Sequence, residues 1–187
     1  LTFPSDQLRA LNWLSTVAST YNLASINMSL GGTTKYTSNC DSDTRKVGFD
    51  NLRAAGVVTF IAAGNSGWTD GVSAPGCVSS VVTVGSTRDG GPAATPADSI
   101  SSFSNSSALV EMWAPGEWIQ SSTLNSKFTL KAGTSMATPH VAGGYLVFKQ
   151  MYPADGVDAL LSRLYAAGVL VTDPRNGITK PRLALNT

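Results

Sequence analysis

Apolar residues recur at three- and four-residue steps through Leu8, Leu11, Leu14, Val17 and Ala18, the spacing that gathers side chains on one face of a helix. Pro4-Ser5-Asp6 stands just before them as a start signal, so a first helix is predicted from Pro4 to about Tyr21. Ala24 to Leu30 reads as a buried strand, stopped by Gly31-Gly32. Asp41 to Ala55 is predicted as a second helix with Val47, Leu52 and Ala55 inward and Gly56 as its stop. Val57 to Ala62 and Ser80 to Gly85 are short continuous apolar runs, the pattern of strands covered on both faces.

Beyond that point the pattern loosens. Thr87 to Asn105 is rich in Gly, Pro, Ala and Ser and predicts a surface connection. Leu109 to Trp113 reads as a strand, Glu117 to Ala132 as a hairpin turning at Leu124-Asn125-Ser126, and Thr134 to Met151 as a long helix. Gly156 to Ala167 follows as another helix, with a short terminal strand near Ile178. Helices and strands alternate, which argues for an α/β fold on a mostly parallel sheet. No repeat and no interdomain linker interrupts residues 1–187, and 187 residues with 42% apolar composition suffice for one core.

Charge changes the picture by exclusion. A formal net charge of +1 and 13% charged residues give no footprint for nucleic acid or for an anionic membrane surface. No apolar run reaches the roughly 18 residues of a membrane span. Low charge with abundant Ser, Thr, Asn and Gly is the composition of a secreted hydrolase. Leu1 is not an initiator methionine and no signal sequence precedes it, so the chain reads as processed or as cut from something longer. Cys40 and Cys77 read as two buried thiols or, in an exported chain, as one disulfide; the export-like composition favours the bridge, worth about 4 kcal/mol in the chain-entropy model. Asn27-Met28-Ser29 and Asn105-Ser106-Ser107 match the glycosylation pattern, but the first falls in a strand predicted to be buried and is taken as coincidence.

The richest chemistry lies in Gly133-Thr134-Ser135-Met136-Ala137-Thr138-Pro139-His140-Val141-Ala142-Gly143. A serine at a helix start is ordinarily a cap. Here Gly133 permits close backbone approach, Ala137 keeps space beside the hydroxyl, and the helix end offers amides and a dipole to a developing oxyanion. That suits acyl transfer. The stretch resembles the nucleophile motif of the subtilisin-like serine proteases, the subtilases. Ala62-Ala63-Gly64-Asn65-Ser66-Gly67 is similar to that family's oxyanion segment, and Ser25 to Gly32 to its substrate-binding strand. Ala114-Pro115-Gly116 and the ending from Asn176 to Arg182 also fit, so the resemblance covers essentially the whole chain.

The resemblance implies a three-layer α/β/α, subtilisin-like fold lacking its N-terminal strands, with residues 1–187 a partial catalytic domain of a secreted serine endopeptidase. It implies Ser135 as nucleophile and Asn65 as a side-chain donor to the oxyanion, although Gly-Asn-Ser-Gly alone reads as an ordinary turn. Ser29, Leu30 and Gly31, together with Ala62, Ala63 and Gly64, would flank the pocket for the residue before the scissile bond, next to Gly133 and Thr134. Peptide or protein would be the substrate, pairing with the free strand edge at Gly31 and Gly32. No cofactor is implied for the chemistry. Subtilases often bind structural calcium, but no ligand spacing in this sequence shows a metal site.

His140 is the chain's one histidine. Five helical residues turn the chain by about 140° and raise it by about 7.5 Å, so its ring points away from the Ser135 hydroxyl and it is read as a packed, hydrogen-bonded structural residue. The family's aspartate and histidine motifs have no counterpart here. Asp41, Asp43 and Asp50 read as an acidic helix start, and Asp70, Asp89 and Asp98 as loop residues. The isolated chain is therefore expected to be inactive. Its expected partner is the missing N-terminal part of the same domain or a second copy. The alternative is a non-catalytic peptide-binding or assembly module. An α/β-hydrolase elbow, Gly-x-Ser-x-Gly, is set aside because Ala137 holds the last position and no histidine follows well downstream.

Overall fold

The computed structural model describes residues 2–90 and 96–185. In chain order the elements are α1 (Pro4–Val17), β1 (Ser25–Met28), β2 (Lys35–Tyr36), α2 (Lys46–Ala54), β3 (Val58–Ala62), β4 (Val72–Ser73) and β5 (Val82–Arg88). There follow β6 (Met112–Glu117), β7 (Ile119–Thr123), β8 (Lys127–Lys131), α3 (Thr134–Met151), α4 (Val157–Ala167), β9 (Val169–Thr172) and β10 (Thr179–Arg182). The main sheet runs β1-β3-β5-β6-β10-β9. Its first five members are parallel, and β9 pairs antiparallel to β10 from Thr172↔Thr179 to Val169↔Arg182.

Alternation along the central strands builds three layers. Val57, Ile61 and Ala63 join Leu11, Phe49, Leu52 and Trp113 in one core, on the face covered by α1 and α2. Val58 and Phe60, pointing the other way, meet Val84, Met112, Val141, Tyr145, Leu160 and Leu164 beneath α3 and α4. Both faces are covered, so β3 is buried at every position, as continuous apolar strands require. Each large side chain taken from water contributes about 1.5–3 kcal/mol. The disulfide forms: Cys40 and Cys77 are bridged with their Cα atoms 5.3 Å apart, tying the segment before α2 to the approach of β5.

Several predicted elements shift. The second helix starts at Lys46 rather than Asp41, because the Asp43 carboxylate accepts from the backbone N–H and guanidinium of Arg45 and fixes a turn there. Its inward face is Gly48, Phe49 and Leu52. Val47, predicted inward, is 54% exposed, and Ala55 is exposed too. Gly48 sets this rotation, since a Cβ there would lie 2.9 Å from Leu11 Cβ. Gly56 does end the helix, at φ +84°.

The strand placed at Leu109 to Trp113 begins at Met112, since Ser107 Oγ accepts from Leu109 N and its carbonyl from Val110 N, closing a turn. The surface connection drawn from Thr87 to Asn105 falls partly on 91–95, outside the described residues; beyond them Ser101, Ser104 and Asn105 are fully buried rather than superficial. The two-residue strands β2 and β4 and the whole of β9 had no periodicity to announce them. The hairpin, α3 and α4 stand as predicted, within a residue or two at each end.

Candidate functional site

Parallel β1 and β3 end on the same side of the sheet, and the loops beyond their carboxyl ends meet the start of α3 there. Such crevices are where open α/β sheets bind ligands. The local sequence dictates the junction. In a regular helix the N–H of residue 139 would bond the carbonyl of Ser135, but Pro139 has none. The freed Ser135 carbonyl instead accepts from Ser29 Oγ at 2.7 Å, and Ser135 Oγ donates to the Ser29 carbonyl at 3.3 Å. This reciprocal pair joins the end of β1 to the first turn of α3.

Asn65 is fixed from the same helix start. Its Oδ1 accepts from Thr134 N at 2.8 Å and Thr134 Oγ1 at 2.9 Å, while Gly64 N donates to Thr134 Oγ1 at 3.2 Å. Thr134 N can only donate, so the oxygen must face it and the Asn65 Nδ2 group turns outward. Among the described residues nothing accepts from that Nδ2. Gly133, at φ +153°, completes the geometry: a Cβ built on it would sit 3.5 Å from Asn65 Nδ2 and 3.7 Å from Ser135 N. Ser135 N is one of the first amides of α3 and lacks an intrahelical partner. Two N–H donors thus border a space that any side chain at position 133 would fill. An oxyanion is what such a space accommodates.

A cavity of about 180 Å³ opens beside these donors, lined by Leu30, Gly31, Ala62, Gly64, Asn65 and Ser73 with Thr134 and Ser135 at its rim. Among the described residues no charged side chain lines it. A hollow of about 350 Å³ lies across the same Leu30-Gly31-Gly32 backbone and adds Pro4, Tyr36 and Arg45. Of the predicted site residues, Ser29, Leu30, Gly31, Ala62, Gly64, Asn65, Gly133, Thr134 and Ser135 converge here. Ala63 does not line the cavity; its methyl is in the core and its carbonyl accepts from Ser73 N and Asn105 Nδ2. Ser73 and Asn105 were missed, being an unremarkable serine and an asparagine inside a predicted surface connection. No local signal separated them from turn residues.

His140 is exposed, not packed, because the α3 stripe that carries it is uncovered; its Nδ1 pairs with the Met136 carbonyl at 2.8 Å, back along the helix. The burial expected at the first glycosylation match is also corrected. Asn27 is exposed, since β1 is the edge of the sheet, whereas Asn105 is fully buried. Among the described residues no three of His, Cys, Asp and Glu converge as a metal cluster would, and no helix is long and apolar enough to cross a membrane.

The subtilase family model matches residues 9–173. Alkaline serine exoprotease A of Vibrio alginolyticus is 35% identical over 179 residues, covering 94% of this chain and 30% of the relative. An extracellular serine proteinase of Thermus sp. (strain Rt41A) is 33% identical over 190 residues, covering 98% of this chain and 41% of the relative. Among solved structures, a cold adapted subtilisin-like serine proteinase superposes with a TM-score of 0.81 at 30% identity, over 100% of this chain and 63% of that one. The chain thus spans less than half the length of these sequence relatives.

Proposed function

The chain belongs to the subtilase family, and on that premise we propose that it carries the nucleophile and oxyanion half of a serine endopeptidase site. Ser135 Oγ gives its proton to a general base and attacks the scissile carbonyl; the C–N bond then breaks, the amine leaves carrying that proton, and the acyl-enzyme remains. Asn65 Nδ2 and Ser135 N take the developing oxyanion. The observation that carries this reading is the space over Gly133, which two donors border and no side chain fills. The substrate is an extended peptide. It pairs with the backbone at Leu30-Gly31-Gly32, with the side chain before the scissile bond in the cavity between that backbone and Ala62-Gly64. The small cavity favours a side chain of modest size there. The names of the relatives, and the disulfide, support an extracellular setting.

The general base comes from outside residues 1–187, since His140 is turned away from Ser135. The free edge of β1 and the α3 stripe of His140, Gly143, Leu146, Val147 and Met151, all exposed, form the surface on which the segment supplying aspartate and histidine docks. In its absence a second copy covers the same surface. Light scattering of the isolated chain is expected to show self-association; a stable monomer would contradict this part.

Casein cleavage tests the whole. The chain alone is expected to be inactive. Joined to a segment that bears the aspartate and histidine, it is expected to cleave, with Asn65→Ala lowering turnover by about 10²–10³, the loss measured on removing such a donor from subtilisin. Absence of cleavage by an extended chain that bears both aspartate and histidine would instead favour a peptide-binding module.

A further inference from the structure

We propose that Asn105 is the positioning residue of the oxyanion segment, a role that rests on the reading of Asn65 given above. Asn105 is fully buried and touches no part of the open cleft donors. Its side chain nevertheless reaches two residues that line the cavity, Ser66 and Ser73. Oδ1 accepts from Ser66 N at 3.0 Å and Trp68 N at 3.2 Å, the residues just past Asn65. Nδ2 donates to the Ala63 carbonyl at 2.9 Å, just before it, and lies 3.5 Å from Ser73 Oγ, which lines the cavity. All four hydrogen-bonding positions of one amide are therefore engaged, and they straddle the residue whose Nδ2 must be aimed.

The backbone repeats the pattern. Asn105 N donates to the Gly64 carbonyl, Gly67 N to the Phe103 carbonyl and Ser106 N to the Trp68 carbonyl. Gly64, at φ +105°, is glycine because a Cβ would overlap Asn105 Nδ2 and Ser73 Oγ. An outer layer holds Asn105 in turn. The Arg175 guanidinium donates to the Ser102 and Ser104 carbonyls at 2.9 Å each, itself gripped by the buried Asp173 carboxylate. Asn176 Nδ2 ties Thr69 to Ser106 at 2.8 Å on each side. The loop after β9 thus secures 102–106, which secures 63–68, which presents Asn65. The same burial bars the Asn105-Ser106-Ser107 pattern from carrying a glycan in the folded chain.

Two measurements on the isolated chain separate this from a merely structural role. The first is the affinity of one tetrapeptide ending in Ala-Leu, as free carboxylate and as terminal amide, because a carboxylate oxygen can occupy the space between the two donors. The unaltered chain is expected to favour the carboxylate about tenfold. Asn65→Ala, which leaves Ser135 N as the remaining donor, cuts that preference to about twofold or less, and Asn105→Ser reduces it below about threefold without touching the peptide. The preference is a ratio, so a lower folded fraction does not move it. Loss in Asn65→Ala with full retention in Asn105→Ser overturns the positioning role. No preference in the unaltered chain, or its survival above about twofold in Asn65→Ala, overturns the oxyanion reading instead. The second measurement needs no variant: the amide of Ser66, on an exposed residue, is expected to exchange with deuterium as slowly as that of Ile61, within about tenfold. Free exchange at Ser66 would refute the clamp whether or not Asn105→Ser folds.

Discussion

Asn65-Ser66 and Asn125-Ser126 are the same dipeptide in two exposed turns, and the fold treats them in opposite ways. The first is laced from behind by Asn105, Thr134 and three backbone hydrogen bonds to 103–106. The second sits at the tip of the β7–β8 hairpin, where Asn125 and Ser126 adopt φ of 62° and 54° and, among the described residues, only the hairpin's own ladder holds them. Around that tip Leu124 is 84% exposed and Phe128 70%. The turn at Asn65 is built against a buried amide. A turn that only reverses the chain is left to local conformation.

The largest effect that can test this difference is expected from Gly64→Ala. The new Cβ overlaps Asn105 and Ser73 at a backbone conformation reserved for glycine, and the cost is about 3 kcal/mol or more. Asn125→Gly at the hairpin tip, also at positive φ, should stay within about 0.5 kcal/mol. Urea unfolding of the two variants reads both; comparable losses would erase the contrast. Next comes Thr134→Val, which keeps the shape of a fully buried residue but removes the hydroxyl shared by Gly64 N and Asn65 Oδ1. A loss of about 1–2 kcal/mol is expected, together with faster exchange of the Gly64 amide.

A pH test extends the contrast to charge. Burial pushes the Glu111 carboxyl above its usual value, only partly offset by the Tyr165 hydroxyl. A carboxyl raised by folding holds its proton more tightly in the native state, so its contribution is fully present below the unfolded value of 4.5 and is lost as pH rises through the folded value. Glu111→Gln is thus expected to match the unaltered chain near pH 4 and to exceed it near pH 8. Lys127→Gln, on the exposed hairpin, should leave that profile unchanged. The smallest effect belongs to Leu124→Ser, within about 0.5 kcal/mol by thermal unfolding.

Legibility in the sequence followed the range of the interactions. α3, α4, the hairpin and β3 were readable because periodicity and turn residues act locally. The residues meeting at the cleft, from Ser29 and Asn65 to Ser135, were readable through the family resemblance, since their motifs are compact. The start of α2 was not, because an Asp43–Arg45 turn competes with helix at the same residues. The rotation of α2 depended on Gly48 meeting Leu11, a contact 37 residues apart in sequence that no periodicity within α2 encodes. Asn105 was hidden for the same reason: in a segment rich in serine and glycine, only tertiary partners distinguish a buried clamp from a surface turn.

The central claim is that Ser135 is a nucleophile placed beside its oxyanion donors but without its base. Labelling with an active-site-directed fluorophosphonate, followed by intact mass and peptide mapping, tests it most directly. The isolated chain is expected to remain unmodified. Joined to a segment that bears the aspartate and histidine, it is expected to take one phosphonyl group on Ser135 and none in Ser135→Ala. Labelling of Ser135 in the isolated chain, or labelling of the joined protein at any other serine, would contradict the account.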